Sequence, residues 1–189
     1  STPIKSSAAS DVYKRQIEPL IQLIKGLYNG KKAKNSPIQY GLCTVAFPSM
    51  KPLEITIDEM SEDNIVEYAI ASASCFPAFP IHYIDKQGYI DGGYYDNLPV
   101  SLALKMGAQK IIAIELNQEA THSYLLHREN ITFIRPSKHL GGFLDFNREV
   151  LDQRIRLGYL DTLKTFKKLK GHRFAFYPCL LYTSPSPRD

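Results

Sequence analysis

The sequence predicts an α/β fold in which helices cover a largely parallel or mixed sheet. Three observations carry that expectation. Segments with apolar residues at helical spacing alternate with short runs rich in β-branched and aromatic residues. Prolines and glycines fall mostly at the joints between them. Hydrophobic residues make up 44% of the 189, which suits a folded chain rather than a disordered one.

The elements follow in order. Ile17, Leu20, Ile21, Ile24, Leu27 and Tyr28 recur at helical spacing, and Gly30 reads as the stop. Lys31 to Pro37 reads as a loop. Ile38, Tyr40, Leu42, Val45 and Phe47 suggest a strand over 38–47, interrupted by Pro48 and Pro52, with a second short strand over Leu53 to Ile57. Ser61 is the expected N-cap of a helix whose first turn carries Glu62 and Asp63, where the helix dipole favours negative charge. That helix presents Ile65, Val66, Ala69 and Ile70, turns small-residue-rich at Ala71-Ser72-Ala73-Ser74, and must end near Pro77 and Pro80. Ile81 to Ile84, a Lys86-Gln87-Gly88 turn and Tyr89-Ile90 read as a hairpin. Pro99 opens a helix through Met106, which Gly107 ends. Lys110 to Leu116 reads as a buried strand and Ile131 to Ile134 as another. A long helix runs from about Asn147 to Lys170 with a stripe of Leu151, Ile155, Tyr159, Leu163 and Phe166, stopped by Gly171. Arg173 to Tyr177 reads as a final strand.

The two ends carry a different signal. Ser6-Ser7-Ala8-Ala9-Ser10-Asp11-Val12-Tyr13-Lys14-Arg15-Gln16 back-translates to DNA that resembles the adapter of transposase-based sequencing libraries. The codons for Asp11 to Gln16, GAT GTG TAT AAG AGA CAG, have the reverse complement CTG TCT CTT ATA CAC ATC. Read one base later, it encodes Cys179-Leu180-Leu181-Tyr182-Thr183 and the start of Ser184. One short DNA sequence, read on opposite strands, accounts for both ends. Residues 1–16 and 179–189 are therefore expected to be adapter-derived and 17–178 native, a length that suits one domain or most of one.

Charge and cysteine usage narrow the class. The formal net charge is +4, and the flanks supply half of it through Lys5, Lys14, Arg15 and Arg188 against Asp11 and Asp189. What remains gives no support to nucleic-acid binding. Of the three cysteines, Cys43 and Cys75 fall in the native part without C-x-x-C spacing. They read as buried free thiols in a reducing, cytoplasmic compartment. No apolar run approaches the roughly 20 residues of a membrane span. His82, His122, His127, His139 and His172 show no metal-ligand spacing. Lys164, Lys167, Lys168, Lys170 and Arg173 gather at a helix C-terminus, where the dipole favours them. The same charges would also attract anionic lipid headgroups.

The most informative stretch is Ala71-Ser72-Ala73-Ser74-Cys75-Phe76-Pro77-Ala78-Phe79-Pro80, followed by Tyr89-Ile90-Asp91-Gly92-Gly93-Tyr94-Tyr95-Asp96-Asn97-Leu98-Pro99-Val100. Asp91-Gly92 on its own also reads as a hairpin turn. The order and spacing of the whole stretch resemble the C-terminal half of the patatin-like phospholipase family. There a small-residue helix ends in a Pro/Phe-rich turn, a strand delivers Asp-Gly-Gly or Asp-Gly-Ala, and an Asn-x-Pro-like segment opens the next helix. The resemblance extends over most of 17–178, including Gly141-Gly142-Phe143-Leu144-Asp145-Phe146 and the long helix after it.

The resemblance implies a three-layer α/β/α fold, truncated on its N-terminal side, and a serine hydrolase acting on lipid or acyl-ester substrates through a Ser–Asp dyad. It assigns the proton acceptor to Asp91, with Gly92 and Gly93 completing the motif. It implies no metal or organic cofactor, and it fits peripheral contact with a membrane. Asp96 reads instead as a turn or cap residue before the Pro99 helix. The family's G-x-S-x-G nucleophile elbow and its glycine-rich oxyanion loop do not occur in these 189 residues. The chain as written is therefore expected to be inactive. The other reading of the pattern is a non-catalytic patatin-like module that binds lipid or a protein.

Overall fold

The computed structural model describes residues 18, 19, 21–119, 123–142, 145, 147–171 and 176. The chain divides into two compact units, Ser1–Ala108 and Gln109–Asp189. Together they are α/β, as expected, with strand directions split between an antiparallel sheet in the first unit and a parallel pair in the second.

In the first unit, helical turns over 21–27 precede a short helix α1 (Gly30–Lys34). Gly30 thus starts a helix where the sequence suggested a stop. The reason is local: the Asn29 side chain accepts from the Lys32 amide at 2.9 Å and caps the new helix. Strands β1 (Gly41–Phe47) and β2 (Lys51–Thr56) form a hairpin, with Val45 opposite Pro52. Pro52 sits inside the strand rather than interrupting it. Strand β2 pairs with β1 alone and so lies at an edge of its sheet, where a missing amide is tolerated. Helix α2 (Asn64–Ser72) is preceded by a turn in which Ser61 Oγ accepts from the Asn64 amide at 3.3 Å. Strands β3 (His82–Ile84) and β4 (Gln87–Asp91) form the predicted hairpin, but its turn is Asp85-Lys86. Both residues have positive φ, 47° and 69°, as a two-residue primed turn demands. Helix α3 (Val100–Lys105) follows Pro99 and ends before Gly107, whose φ is +87°.

The core of this unit gathers Leu42, Ile55, Ile57, Met60 and Ile65. Strand β1 is buried almost continuously from Leu42 to Val45 instead of alternating. Central between β2 and β4, it is covered on both faces, and a strand in that position has no polar side to show.

In the second unit, β5 (Ile111–Ile114) and β6 (Ile131–Ile134) pair in parallel. The expected buried strand at Lys110–Leu116 is corrected here: Ile112, Ile114 and Leu116 are 59%, 63% and 74% exposed. Only Ala113 and Glu115 are buried in that run, because one face alone is covered. Helix α4 (Arg148–Thr165) is capped by Asn147, whose Oδ1 accepts from Glu149 at 2.9 Å. Its expected apolar stripe is only partly its inner face, since Leu151 and Leu163 are half-buried. Ile155, Tyr159 and Phe166 are exposed, while Asp161 is buried. The Asp161 carboxylate accepts from the Ser137 amide at 2.8 Å, which satisfies the buried charge on the inward face. The helix ends at Thr165, well before Gly171. The predicted terminal strand lies outside the described residues, apart from Phe176, which bridges Lys170. Ile17, Leu20, His122, His172 and both flanks also lie outside them.

Glu67 on α2 ties three elements of the first unit together. It pairs with Lys25 at 2.8 Å and with His82 Nε2 at 2.8 Å. Burial pushes its carboxyl up, but the hydrogen bonds from Lys25 and His82 outweigh that and hold it below the ordinary value of 4.5. A carboxyl with a depressed folded pKa contributes stability that is complete above the unfolded value. That stability is lost as pH falls through the lower folded value. Glu67→Gln is therefore expected to cost about 1 kcal/mol at pH 7. The gap between variant and wild type should close as urea denaturation is repeated at successively lower pH below 4.5.

Candidate active site

The site is built at the end of β4. Gly88 and Ile90 of this strand are buried, whereas Tyr89 and Asp91 share the other, half-buried face. Tyr89 meets Tyr68 of α2 edge-on at 5.9 Å, so Asp91 lies on the sheet face that α2 covers. Its backbone is held twice. The strand register sets Asp91 opposite Thr44, and the Thr44 hydroxyl, fully buried, donates to Ile90 O at 2.7 Å. The Asp91 amide donates to Ser74 O at 2.9 Å, which ties the strand end to the turn leaving α2.

The two glycines have separate reasons. A Cβ on Gly92 would lie 2.1 Å from the Cys43 carbonyl oxygen, so only glycine lets the chain pass β1 here. A Cβ on Gly93 would lie 2.3 Å from Asn97 Oδ1 and 3.2 Å from Asp91 Oδ1. The Gly92–Tyr94 segment forms one 3-10 turn. Within it, the Gly93 amide donates to Asp91 Oδ1 at 2.8 Å. The second carboxylate oxygen, Oδ2, takes no hydrogen bond from the described residues. One oxygen is therefore fixed by the backbone, and the other is not.

The surroundings are mostly apolar or neutral. Phe47 and Phe76 pack at 5.9 Å, and the Tyr94 hydroxyl donates to Phe76 O. Two thiols lie within the field of Asp91. Burial, helped by Glu54, Asp96 and Asp91, pushes the Cys43 thiol up to about 11. Burial and then Asp91 also push the half-buried Cys75 thiol upward. Neither is poised as a thiolate nucleophile at neutral pH. Asp96 accepts from the Leu98 amide at 2.8 Å, the turn role expected of it. His82 is engaged by Glu67, and His139 Nδ1 accepts from the Gly141 amide at 3.0 Å. Among the described residues, no group of three His, Cys, Asp or Glu side chains could hold a metal. No helix among them is long and apolar enough to cross a membrane.

Sequence patterns gave no hint of the roles of Ser74 and Thr44. Both act through buried bonds to the backbone across a sheet or a turn, and such bonds leave no periodic signature. Asp91, Gly92 and Gly93 are brought together as one turn. Gly141 and Gly142 belong to the second unit.

A family model described as patatin-like phospholipase matches residues 4–104, more than half of the chain. The matched range begins within the segment expected to be adapter-derived and ends in α3. No curated protein matches the chain.

The close approach at Gly92 yields a sharp expectation. Gly92→Ala must displace backbone rather than a flexible side chain and should cost about 3 kcal/mol. Gly142→Ala, which meets open space, should stay within about 0.5 kcal/mol of wild type. Urea midpoints of the two variants, measured side by side, check the contrast.

Proposed function

The chain belongs to the patatin-like phospholipase family, and from that premise we propose that Asp91 is the proton acceptor of a Ser–Asp dyad in a lipid acyl-ester hydrolase. The observation that carries the reading is the asymmetry of the Asp91 carboxylate. Oδ1 is pinned by the Gly93 amide, and Oδ2 is unengaged on the half-buried face. A serine hydroxyl is a weak nucleophile until a neighbouring base takes its proton. A carboxylate anchored through one oxygen presents the other at a fixed position. In the first half-reaction, Oδ2 would take the hydroxyl proton as the serine oxygen attacks the ester carbonyl, then pass it to the departing oxygen as the ester C–O bond breaks, leaving an acyl-enzyme, a free alcohol and the carboxylate restored. Water would then attack that acyl-enzyme with the same carboxylate as base, releasing the fatty acid and regenerating the serine.

The proposal assigns the serine and the oxyanion donors to coding sequence outside these 189 residues, which contain no G-x-S-x-G. It likewise reads 17–178 as the native part, on the strength of the reverse-complement relation between the two ends. A membrane-surface substrate agrees with Lys167, Lys168 and Lys170, all exposed beyond α4.

Two experiments test this. A long sequencing read across both junctions of the source locus should show coding sequence upstream of Ile17 carrying a glycine-rich loop and G-x-S-x-G. It should lack the codons for 1–16 and 179–189. A start codon near Ile17 without those motifs would overturn the hydrolase reading. In the protein encoded by the intact locus, Asp91→Asn should lower ester hydrolysis by roughly 10²–10⁴-fold with little change in melting temperature. Turnover near wild type in that variant would remove Asp91 from the mechanism.

A further inference from the structure

Two main-chain carbonyls hold the Asp91 turn in place. Ser74 O accepts from the Asp91 amide at 2.9 Å, and Cys43 O is the atom against which Gly92 lies. They belong to different elements, the turn leaving α2 and strand β1. The geometry of the turn therefore depends on how those two elements are held to each other.

One side chain joins them. Ser72, the last residue of α2, donates from its Oγ to Cys43 O at 2.7 Å. A serine in a helix commonly bonds a carbonyl four residues back, as Ser74 does with Ile70 at 2.8 Å, whereas Ser72 reaches across 29 positions of sequence. The β1–β4 register ends at the Thr44–Asp91 pair, so Cys43, one residue earlier, lies past that ladder. Cys43 is buried, and an acceptor left unmet there is costly. From Ser72 to Ser74 the chain is braced: the Ser74 amide donates to Ala71 O at 3.1 Å, and both of those residues are buried. The hydroxyl that fixes Cys43 O thus also sets where Ser74 O stands.

We propose that Ser72 is a positioning residue for Asp91: its hydroxyl pins the end of α2 to β1 and so keeps the Ser74 and Cys43 carbonyls at the separation the Asp91-Gly92 backbone needs. Its kinetic consequence rests on the proton-acceptor role proposed for Asp91. Ser72 itself touches neither substrate nor reacting atoms in this role. It acts by limiting where Asp91 Oδ2 can stand, and a small misplacement of a base is enough to slow the chemical step.

Amide hydrogen exchange, followed by NMR on the 189-residue chain, tests the pinning without a nucleophile. Ser72→Ala should speed exchange of the Asp91 amide at least about tenfold. It should leave the Ile57 amide, which donates to Tyr40 O at 2.7 Å in the same unit, within about twofold. Alanine is the better helix former, so α2 itself is not weakened. Ser72→Thr, which retains a hydroxyl, should restore slow exchange. In the protein encoded by the intact locus, Ser72→Ala should lower kcat for ester hydrolysis at least about tenfold with KM unchanged, and Ser72→Thr should recover most of it. Unchanged exchange at Asp91 would overturn the proposal. So would equal acceleration at Asp91 and Ile57, the mark of a merely structural role, or failure of threonine to rescue. If Ser72→Ala does not fold, Ser72→Cys, of similar size and with only a weak donor, is read in the same way. Wild-type kcat in Ser72→Ala beside an impaired Asp91→Asn would overturn this inference alone. Wild-type turnover in Asp91→Asn would overturn the hydrolase reading and the kinetic role of Ser72 with it, while the exchange rates still decide the pinning.

Discussion

Gly92 passes so close to the Cys43 carbonyl that no side chain fits between them, and the geometry of the candidate site depends on that contact. It brings the end of β4 against β1, where Asp91 faces Thr44 and the sheet is at its most buried. The chain can then turn at once through Gly93, whose amide reaches back to the Asp91 carboxylate. A larger residue at 92 would push the strand end outward and move the carboxylate with it. The glycine is needed for proximity, not for a left-handed conformation, since its φ is not positive.

The two units solve the problem of polar groups differently. In the first, hydrogen bonding is mostly backbone ladder, with the Glu67 pairings fastening a helix to a strand and to the preceding helical turns. In the second, buried carboxylates take structural roles: Glu115 engages Arg135, and Asp161 receives the Ser137 amide. Buried charge is tolerated only when paired or hydrogen-bonded. The Asp161 tie lies on the inward side of α4, while Ile155 and Tyr159 of the same helix stay exposed.

Much of the first unit was legible in the sequence because its signals are local. The β3–β4 hairpin, the Pro99 opening of α3 and the Gly107 stop follow from turn and cap chemistry within a few residues. Asp91 and its glycines stood out through order and spacing. What could not be read depends on partners distant in sequence. Ser74 O and the Asp91 amide are 17 positions apart, and Thr44 and Ile90 are 46 apart. The burial of Asp161 on α4 is illegible for the same reason, since helical periodicity records where apolar residues lie but not the amide of Ser137. At the β3–β4 turn Gly88 carries the stronger turn signal, yet Asp85 and Lys86 adopt the positive φ values themselves and the turn falls earlier.

A base without an intervening imidazole places an unusual demand on its scaffold. A histidine between carboxylate and serine can absorb small errors in position through its own side-chain torsions. A carboxylate acting directly must itself stand within hydrogen-bond reach of the hydroxyl, about 3 Å. In the role proposed for Asp91, side-chain freedom is therefore a liability, and the arrangement here reduces it at each level. The register with Thr44 and the Ser74 carbonyl fix the backbone, and the Gly93 amide fixes the carboxylate. Each restraint is a hydrogen bond involving main-chain atoms, which no single side-chain replacement removes except through the carboxylate itself or by displacing the backbone. The residues that matter most for the proposed chemistry are thus Asp91 and the glycines that let the backbone serve it.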